Sequence, residues 1–131
     1  MDELICREES YKIVGICMDI YNTLGMGFDE VVYKDALEIE FKRHGIPYLR
    51  EKEYNVIYKG IDLNRKYYVD FIVYNQIILE VKSKSMIVEP HLLQAKNYCA
   101  CAQLRLGLVV NFGGTSLQYK RVLNYVSQLQ E

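Results

Sequence analysis

The spacing of hydrophobic positions along this chain changes from a helical period to a strand-like one after about residue 47. Between residues 8 and 24, and again between 29 and 44, apolar side chains recur every three or four positions, which predicts two helices with one buried face each. Gly25 follows the first segment and Gly45 the second, and glycine commonly ends a helix because it adopts the left-handed conformation easily. Pro47 then prevents the second helix from continuing.

Runs of β-branched and aromatic residues next predict five strands, interrupted by one further helix. Glu89 and Pro90 start that helix, since proline is well tolerated in a first turn, and it extends to about residue 102. The continuous apolar run at 106–112 is typical of a strand buried on both faces. The expected order is α-α-β-β-β-α-β-β with a short helical tail, an α/β fold in a single domain of residues 1–131. The predicted strands are residues 54–58, 66–74, 77–83, 106–112 and 117–122.

Three charged residues interrupt the apolar strands at 66–74 and 77–83. Asp70 lies in the first of these strands, and Glu80 and Lys82 lie in the second. Burying carboxylates in a hydrophobic sheet is costly unless a cation or a hydrogen-bond partner compensates them. Two carboxylates beside a lysine are the groups that a Mg²⁺-assisted attack on a phosphodiester requires. A metal-dependent nuclease is therefore the leading hypothesis.

Whether Asp70 lies beside Glu80 depends on the length of the turn between their strands. Glu80 and Lys82 share a face because side chains alternate along a strand. A two-residue turn at Asn75 and Gln76 would place Asp70 opposite Val81, on the wrong face. A three-residue loop centred on Asn75, or a bulge, would place Asp70 beside Glu80, and asparagine tolerates the left-handed conformation that such loops use. The site hypothesis therefore predicts an odd-length turn.

The second helix contains an acidic residue in its apolar stripe. On a helical wheel Glu30 falls among Tyr33, Leu37, Phe41 and His44, a face that carboxylates normally avoid. Either the glutamate points into a site beneath the helix, or it is a favourable negative charge near the helix start.

The third helix places Gln94 and Tyr98 on one face, four residues apart, and His91 one turn earlier could join them. These side chains could position a substrate or could form hydrogen bonds within a packed layer. The chain has 12 tyrosines. Some of them could stack on bases, while others would fill strand faces or an oligomer interface.

Composition excludes several classes of protein. The net charge of −1 is not that of a strongly basic nucleic-acid binder, and the positive residues occur in small local groups. No apolar run approaches the roughly 18 residues that span a bilayer, and the start lacks the pattern of a secretory signal, so we expect a cytoplasmic protein without membrane contact. The four cysteines have no Cys-x-x-Cys spacing, which favours small core residues over a disulfide framework or a metal cluster.

Four short motifs in this order resemble a known family. Gly27, Glu30 and Tyr33 resemble the Gly-x-x-Glu-x-x-Tyr signature of the small bacterial GxxExxY proteins, which are assigned to the PD-(D/E)xK nuclease superfamily. The superfamily's defining Asp…Glu-x-Lys is matched by Asp70, Glu80 and Lys82, with Val69 in place of the usual preceding proline. Gln94 and Tyr98 resemble the Gln-x-x-x-Tyr motif of its RecB-type branch.

The resemblance, which covers residues from about 10 to 123, implies a restriction-endonuclease-like core with a mixed five-stranded sheet flanked by helices. It implies a Mg²⁺- or Mn²⁺-dependent nuclease acting on nucleic acid, DNA rather than RNA, without an iron–sulfur cluster. Asp70, Glu80, Glu30 and the Val81 carbonyl would be metal ligands. Lys82 would be catalytic, orienting the attacking water or stabilising charge on the phosphate, and Gln94 and Tyr98 would position the substrate or Lys82. The alternatives are a catalytically silent module of nuclease fold that binds nucleic acid or a protein partner, and a chain that works only as a homo-oligomer or as a subunit recruited by other proteins.

Overall fold

The computed structural model describes residues 5–125, which contain three helices and five strands in the expected α-α-β-β-β-α-β-β order. The helices are α1 (Arg7–Leu24), α2 (Glu30–Arg43) and α3 (Glu89–Ala102). The strands are β1 (Tyr48–Tyr58), β2 (Ile61–Val73), β3 (Ile77–Lys82), β4 (Leu106–Asn111) and β5 (Gln118–Leu123). The expected helical tail would fall largely on residues 126–131, which lie outside the described part of the chain.

The five strands form one mixed sheet in the order β1-β2-β3-β4-β5. All neighbouring strands are antiparallel except β3 and β4, which run parallel. A parallel pair needs a crossover, and α3 supplies it between the two central strands. The α/β class and the mixed five-stranded sheet predicted from the sequence are confirmed.

Helices cover both faces of the sheet, and this explains the uninterrupted apolar strands at its centre. The larger core cluster joins α1 and α2 to one face, and the smaller cluster joins α3 to the other. Every residue of β4 is buried, as the apolar run at 106–112 predicted. At Gly107 a β-carbon would lie 3.1 Å from the Cys99 Sγ atom, so glycine allows α3 to pack closely on β4.

The first two strands are longer than the sequence pattern predicts. The prediction began β1 at residue 54 and β2 at residue 66, whereas the strands begin at Tyr48 and Ile61. The additional residues are mostly polar and exposed, so they show no alternation of buried and exposed positions. Their pairing is a property of the hairpin, closed by Lys59 and Gly60, which both have positive φ, as a tight hairpin turn requires.

The remaining boundaries differ from the prediction by one residue or agree with it. Helix α1 begins at Arg7, and α2 covers Glu30–Arg43 with Asp29 as its N-cap. Within residues 5–125, no helix has the length and apolar character needed to cross a bilayer. All four cysteines carry free thiols; Cys17 and Cys99 are buried core residues, whereas Cys6 and Cys101 are half-buried.

Candidate active site

The loop between β2 and β3 has the odd length that the site hypothesis requires. Val73 pairs with Ile77, so three residues, Tyr74 to Gln76, form the connection. Tyr74 and Asn75 both have φ of 58°, in the left-handed region that asparagine tolerates. The register continues through Phe71 paired with Leu79, and therefore sets Asp70 opposite Glu80.

Asp70 and Glu80 are joined by hydrogen bonds that replace the ladder between their strands. The backbone N–H of Asp70 donates to Oε2 of Glu80 at 2.9 Å. The backbone N–H of Val81 donates to Oδ2 of Asp70 at 2.8 Å. Each carboxylate thus accepts from the backbone of the opposite strand, beyond the last regular pair. This exchange fixes the two carboxylates as neighbours.

The alternation of side chains in β2 is interrupted at Asp70. Val69 and Ile72 both pack in the cluster under α3, although strict alternation would place them on opposite faces. Phe71 and Val73 belong to the cluster under α1 and α2. On the neighbouring strand, Glu51 has φ of 56° at the same level. The irregularity turns the Asp70 side chain towards the backbone of β3.

Burial raises the pKa of both carboxylates. Glu80 is 3% exposed, and burial together with the neighbouring Asp70 charge raises its pKa to about 8, against the lowering influence of the Asp70 N–H, Lys82 and Lys34. The pKa of Asp70 is also raised by burial, although the Val81 N–H and Lys34 oppose the rise. Two carboxylates in a dry site are stabilised in their charged forms by an added cation.

A lysine that the sequence analysis did not select lies on Asp70. Lys34 Nζ is 3.1 Å from Oδ1 of Asp70 and 3.1 Å from Oε1 of Glu51. Burial lowers the pKa of Lys34, but the two carboxylates raise it by more. A signal was present in the sequence, because Lys34 is four residues after Glu30 and therefore lies on the same helix face.

Lys82 is held by the residue that the third-helix motif singled out. Lys82 Nζ donates to Oε1 of Gln94 at 2.9 Å, which joins β3 to α3. Tyr98, one turn after Gln94, is 9% exposed, and its ring centre lies 5.5 Å from that of Tyr67. His91 instead caps the helix, since its Nδ1 accepts from the Val88 N–H at 3.1 Å.

Glu30 lies at the end of β3 rather than against the carboxylate pair. Its Oε2 accepts from the backbone N–H of Ser83 at 3.2 Å, directly after Lys82. The Ser83 hydroxyl donates to the Phe28 carbonyl at 2.5 Å. The start of α2 and the end of β3 are therefore tied together, and Glu30 is half-buried at that junction.

Tyr33 gives the Gly-x-x-Glu-x-x-Tyr pattern a structural explanation. Its hydroxyl donates to the Gly25 carbonyl at 2.6 Å and accepts from the Phe28 N–H at 3.2 Å. Its ring is fully buried and stacks on Phe112 with ring centres 4.3 Å apart. Gly27 has φ of 95°, which glycine adopts without strain. These contacts hold the loop that starts α2 and thereby position Glu30.

Asn111, at the end of β4, is a second residue that the sequence analysis did not select. It is completely buried, its Oδ1 accepts from the Lys84 N–H at 2.8 Å, and its Nδ2 donates to the Lys84 carbonyl at 2.9 Å. A β-carbon on Gly113 would clash with the backbone of Ser83 and Lys84. The segment after Lys82 is thus clamped from β4. The sequence did contain a signal for this residue, because Asn111 is a polar residue near the end of the apolar run at 106–112.

The donor set suits a hard divalent cation. Within residues 5–125, no three side chains of His, Cys, Asp or Glu are grouped closely enough to bind a metal by themselves. Mg²⁺ needs only one or two carboxylates because it retains several water ligands. The adjacent carboxylates of Asp70 and Glu80 meet that requirement, and burial, which raises the pKa of both, makes their charged forms dependent on nearby positive charge.

Comparisons with known proteins agree with the fold. The crystal structure of SSO0001 has a similar fold, with a TM-score of 0.61 and 18% sequence identity. The superposition covers 77% of this chain and 53% of that protein, so this chain spans about half its length. No curated protein matches the sequence. Residues 7–122 match the profile of the PD-(D/E)XK nuclease superfamily, which includes both helices before the sheet and all five strands. The chain therefore belongs to the PD-(D/E)XK nuclease superfamily.

Proposed function

We propose that the protein is a Mg²⁺- or Mn²⁺-dependent nuclease that hydrolyses DNA phosphodiester bonds. The observation that carries the proposal is a pair of hydrogen bonds close to Lys82: the Asp70 N–H donates to the Glu80 carboxylate, and the Val81 N–H donates to the Asp70 carboxylate. It places two carboxylates and an ammonium group on adjacent strands, in a site that disfavours uncompensated negative charge. Within the superfamily, the Gly27, Glu30 and Tyr33 pattern supports membership of the GxxExxY proteins, and Gln94 with Tyr98 supports the RecB-type branch.

In this proposal, Asp70 and Glu80 hold the metal ion together with the Val81 carbonyl. The ion would polarise the scissile phosphate and lower the pKa of a bound water. Glu30 is a further acidic group at the open end of the site, connected to it through Ser83.

Lys82 contributes a positive charge that is already oriented. Its ammonium group donates to Gln94, which leaves two further N–H donors for a water molecule or a phosphate oxygen. A compact ammonium charge stabilises the negative charge that develops on phosphate during hydrolysis. Gln94 positions Lys82, and Tyr98, one turn further along α3, would position the substrate. Burial raises the pKa of Tyr98, and the charges of Glu80 and Asp70 add to the rise.

The test is cleavage of labelled single-stranded DNA, duplex DNA and RNA with Mg²⁺ or Mn²⁺, beside reactions in EDTA. The proposal expects metal-dependent cleavage of DNA and a loss of about 10³-fold or more in Lys82→Ala, since charge stabilisation of this kind supplies several kcal/mol. The Lys42→Ala variant is a matched control, because Lys42 is an exposed lysine on α2. Equal activity in both variants would indicate a contaminating nuclease.

A catalytically silent module that binds nucleic acid or a protein partner is the second candidate. Its support is the ion pair between Lys34 and Asp70, which already compensates one carboxylate, and the net charge of −1. Wild-type protein that binds DNA, fails to cleave any substrate and shows no rise in melting temperature with Mg²⁺ or Mn²⁺ would favour this candidate over the enzyme.

A further inference from the structure

The two faces of the β1–β2 hairpin differ in whether their polar side chains have partners within the hairpin. On one face Tyr68 donates to Oε1 of Glu53 at 3.1 Å, and Lys66 lies 3.7 Å from the same carboxylate. Asn55 donates to Asp62 at 2.8 Å on the same hairpin. The cation and the hydroxyl on this face are therefore already satisfied by neighbouring side chains.

The opposite face presents tyrosine rings and an unpaired cation. Tyr54 and Tyr67 are partners in the ladder, so their side chains lie side by side on the face that α3 covers further along. The Lys52 ammonium lies 5.7 Å from the centre of the Tyr54 ring. Among the residues that the structure describes, Lys52 has no carboxylate partner, and Tyr67 is 42% exposed.

This face is continuous with the candidate active site. The ring of Tyr67 lies 5.5 Å from that of Tyr98, and Tyr98 packs in the same cluster as Val69, the residue directly before Asp70. Lys52 pairs with Val69, directly before Asp70, and Tyr54 pairs with Tyr67 two residues further from Asp70. Lys52, Tyr54, Tyr67 and Tyr98 therefore form one surface that begins beside Asp70 and extends along the hairpin. We define this set of four residues as the tyrosine track.

We propose that the tyrosine track carries a single-stranded segment of the nucleic-acid substrate towards the carboxylates. Unpaired bases stack on aromatic rings, and a cation beside the rings attracts the phosphate backbone; this combination is typical of surfaces that bind single strands. A duplex keeps its bases stacked internally and would leave the exposed Tyr67 ring unused. The inference rests on the proposed nuclease function and adds to it the form of the substrate.

The first test measures binding of a fluorescein-labelled 20-nucleotide single strand, and of its duplex, by fluorescence anisotropy in EDTA. Replacing Tyr67 by leucine keeps apolar contact with Tyr98 but removes the aromatic face. We expect Tyr67→Leu to weaken single-strand binding by about tenfold, as the loss of one base stack predicts. Tyr67→Phe should retain wild-type affinity, and Lys52→Gln should weaken binding and reduce its dependence on salt.

Matched controls come from the other face of the same hairpin. Tyr68→Leu and Lys66→Gln alter the same residue types at neighbouring positions, and we expect both to bind the single strand within about twofold of wild type. Equal losses from both faces, or no loss from Tyr67→Leu in a protein with a wild-type melting temperature, would overturn the inference. The inference would also be overturned if the hairpin instead pairs with a second copy of the chain. In that case wild type would be a dimer, Tyr67→Leu would be a monomer, and both would bind the oligonucleotide with the same affinity.

Cleavage separates this inference from the proposed function. If wild type binds single strands through the track but cleaves nothing with Mg²⁺ or Mn²⁺, the nuclease proposal fails and the track remains. If the protein cleaves DNA and track variants cleave with unchanged KM for single-stranded and duplex substrates, the nuclease proposal stands and the track fails.

Discussion

The ammonium group of Lys34 lies 3.1 Å from the Asp70 carboxylate, the carboxylate that also accepts the Val81 N–H. Lys34 comes from α2, which covers the sheet from the side opposite α3. The lysine is largely buried, with 14% of its side chain exposed, so its charge is poorly screened by solvent. It therefore provides one positive charge at the place where the proposed metal ion would provide two.

Removing that charge should strengthen metal binding. In Lys34→Met the long apolar stem is retained but Asp70 loses its cationic partner, so we expect the dissociation constant for Mg²⁺ or Mn²⁺ to fall by about tenfold. Isothermal titration calorimetry measures this directly. The control is Lys42→Met on the exposed surface of the same helix, which should leave the affinity unchanged. An unchanged affinity in Lys34→Met would show that Lys34 and the metal do not share a site.

Glu80 should make the metal-free protein less stable as the pH rises. Because its folded-state pKa of about 8 lies above the ordinary value of 4.5, the folded protein holds a proton that the unfolded chain releases. In EDTA, Glu80→Gln should therefore match wild type near pH 4 and become more stable from about pH 4.5 to pH 8. The gain is on the order of 3 kcal/mol in the free energy of unfolding, measured by urea denaturation.

Glu38 provides a control for this measurement, because its pKa is shifted in the opposite direction from that of Glu80. Hydrogen bonds from Tyr48 and Arg50 lower the pKa of Glu38, so its carboxylate stabilises the folded state above the ordinary pKa and loses that effect on acidification. Glu38→Gln should be less stable than wild type at pH 7 and converge with it near pH 3. A Glu80→Gln variant that is destabilised at pH 8 in EDTA would contradict the assigned shift.

Glu30 can be tested as a metal ligand separately from its structural role. In Glu30→Gln the side-chain amide oxygen can still accept from the Ser83 N–H, so the junction between α2 and β3 should keep its stability. If Glu30 contributes to the metal site, affinity for Mn²⁺ should fall several-fold in this variant, measured by calorimetry. If its only role is to hold Ser83, Glu30→Gln will bind Mn²⁺ as wild type does, whereas Glu30→Ala will lower the melting temperature.

Asn111 should be one of the most sensitive positions for stability. Asn111→Leu preserves the approximate volume but leaves the N–H groups of Lys84 and Gly113 and the Lys84 carbonyl without their side-chain partner, which should cost about 3 kcal/mol in the free energy of unfolding. Urea denaturation checks this value. Asn124→Leu removes a single hydrogen bond to the Leu104 carbonyl at a half-buried position, and should cost about 1 kcal/mol or less. Similar costs for the two variants would contradict the clamp.

Local sequence patterns were sufficient for the order of the elements and for much of the site. The helical spacing before Pro47 and the apolar run at 106–112 predicted their elements because both reflect which faces are buried. Asp70, Glu80 and Lys82 were recognisable because charge within an apolar strand needs a compensating partner. The left-handed tolerance of Asn75 favoured the three-residue loop that the structure contains.

The polar ends of β1 and β2 could not be predicted in the same way. Residues such as Glu53 and Arg65 are exposed on the hairpin, so no buried face imposes a period of two on them. Their strand conformation depends on pairing across the hairpin, which a single segment does not reveal.

The sequence by itself specifies the order of the elements and the charged residues in the central strands. It states the odd-length turn that would bring Asp70 to Glu80 as a requirement of the site, and the structure decides that turn. Only the tertiary structure places Lys34 on Asp70, Asn111 on the Lys84 backbone and Tyr67 beside Tyr98. Each of these contacts joins segments that are distant in the chain. The local pattern of apolar and polar residues around each side chain would be the same whether or not the contact formed. Burial of one face produces a periodic spacing of apolar residues that can be read from the sequence. A specific long-range contact depends instead on how the helices and the sheet pack together.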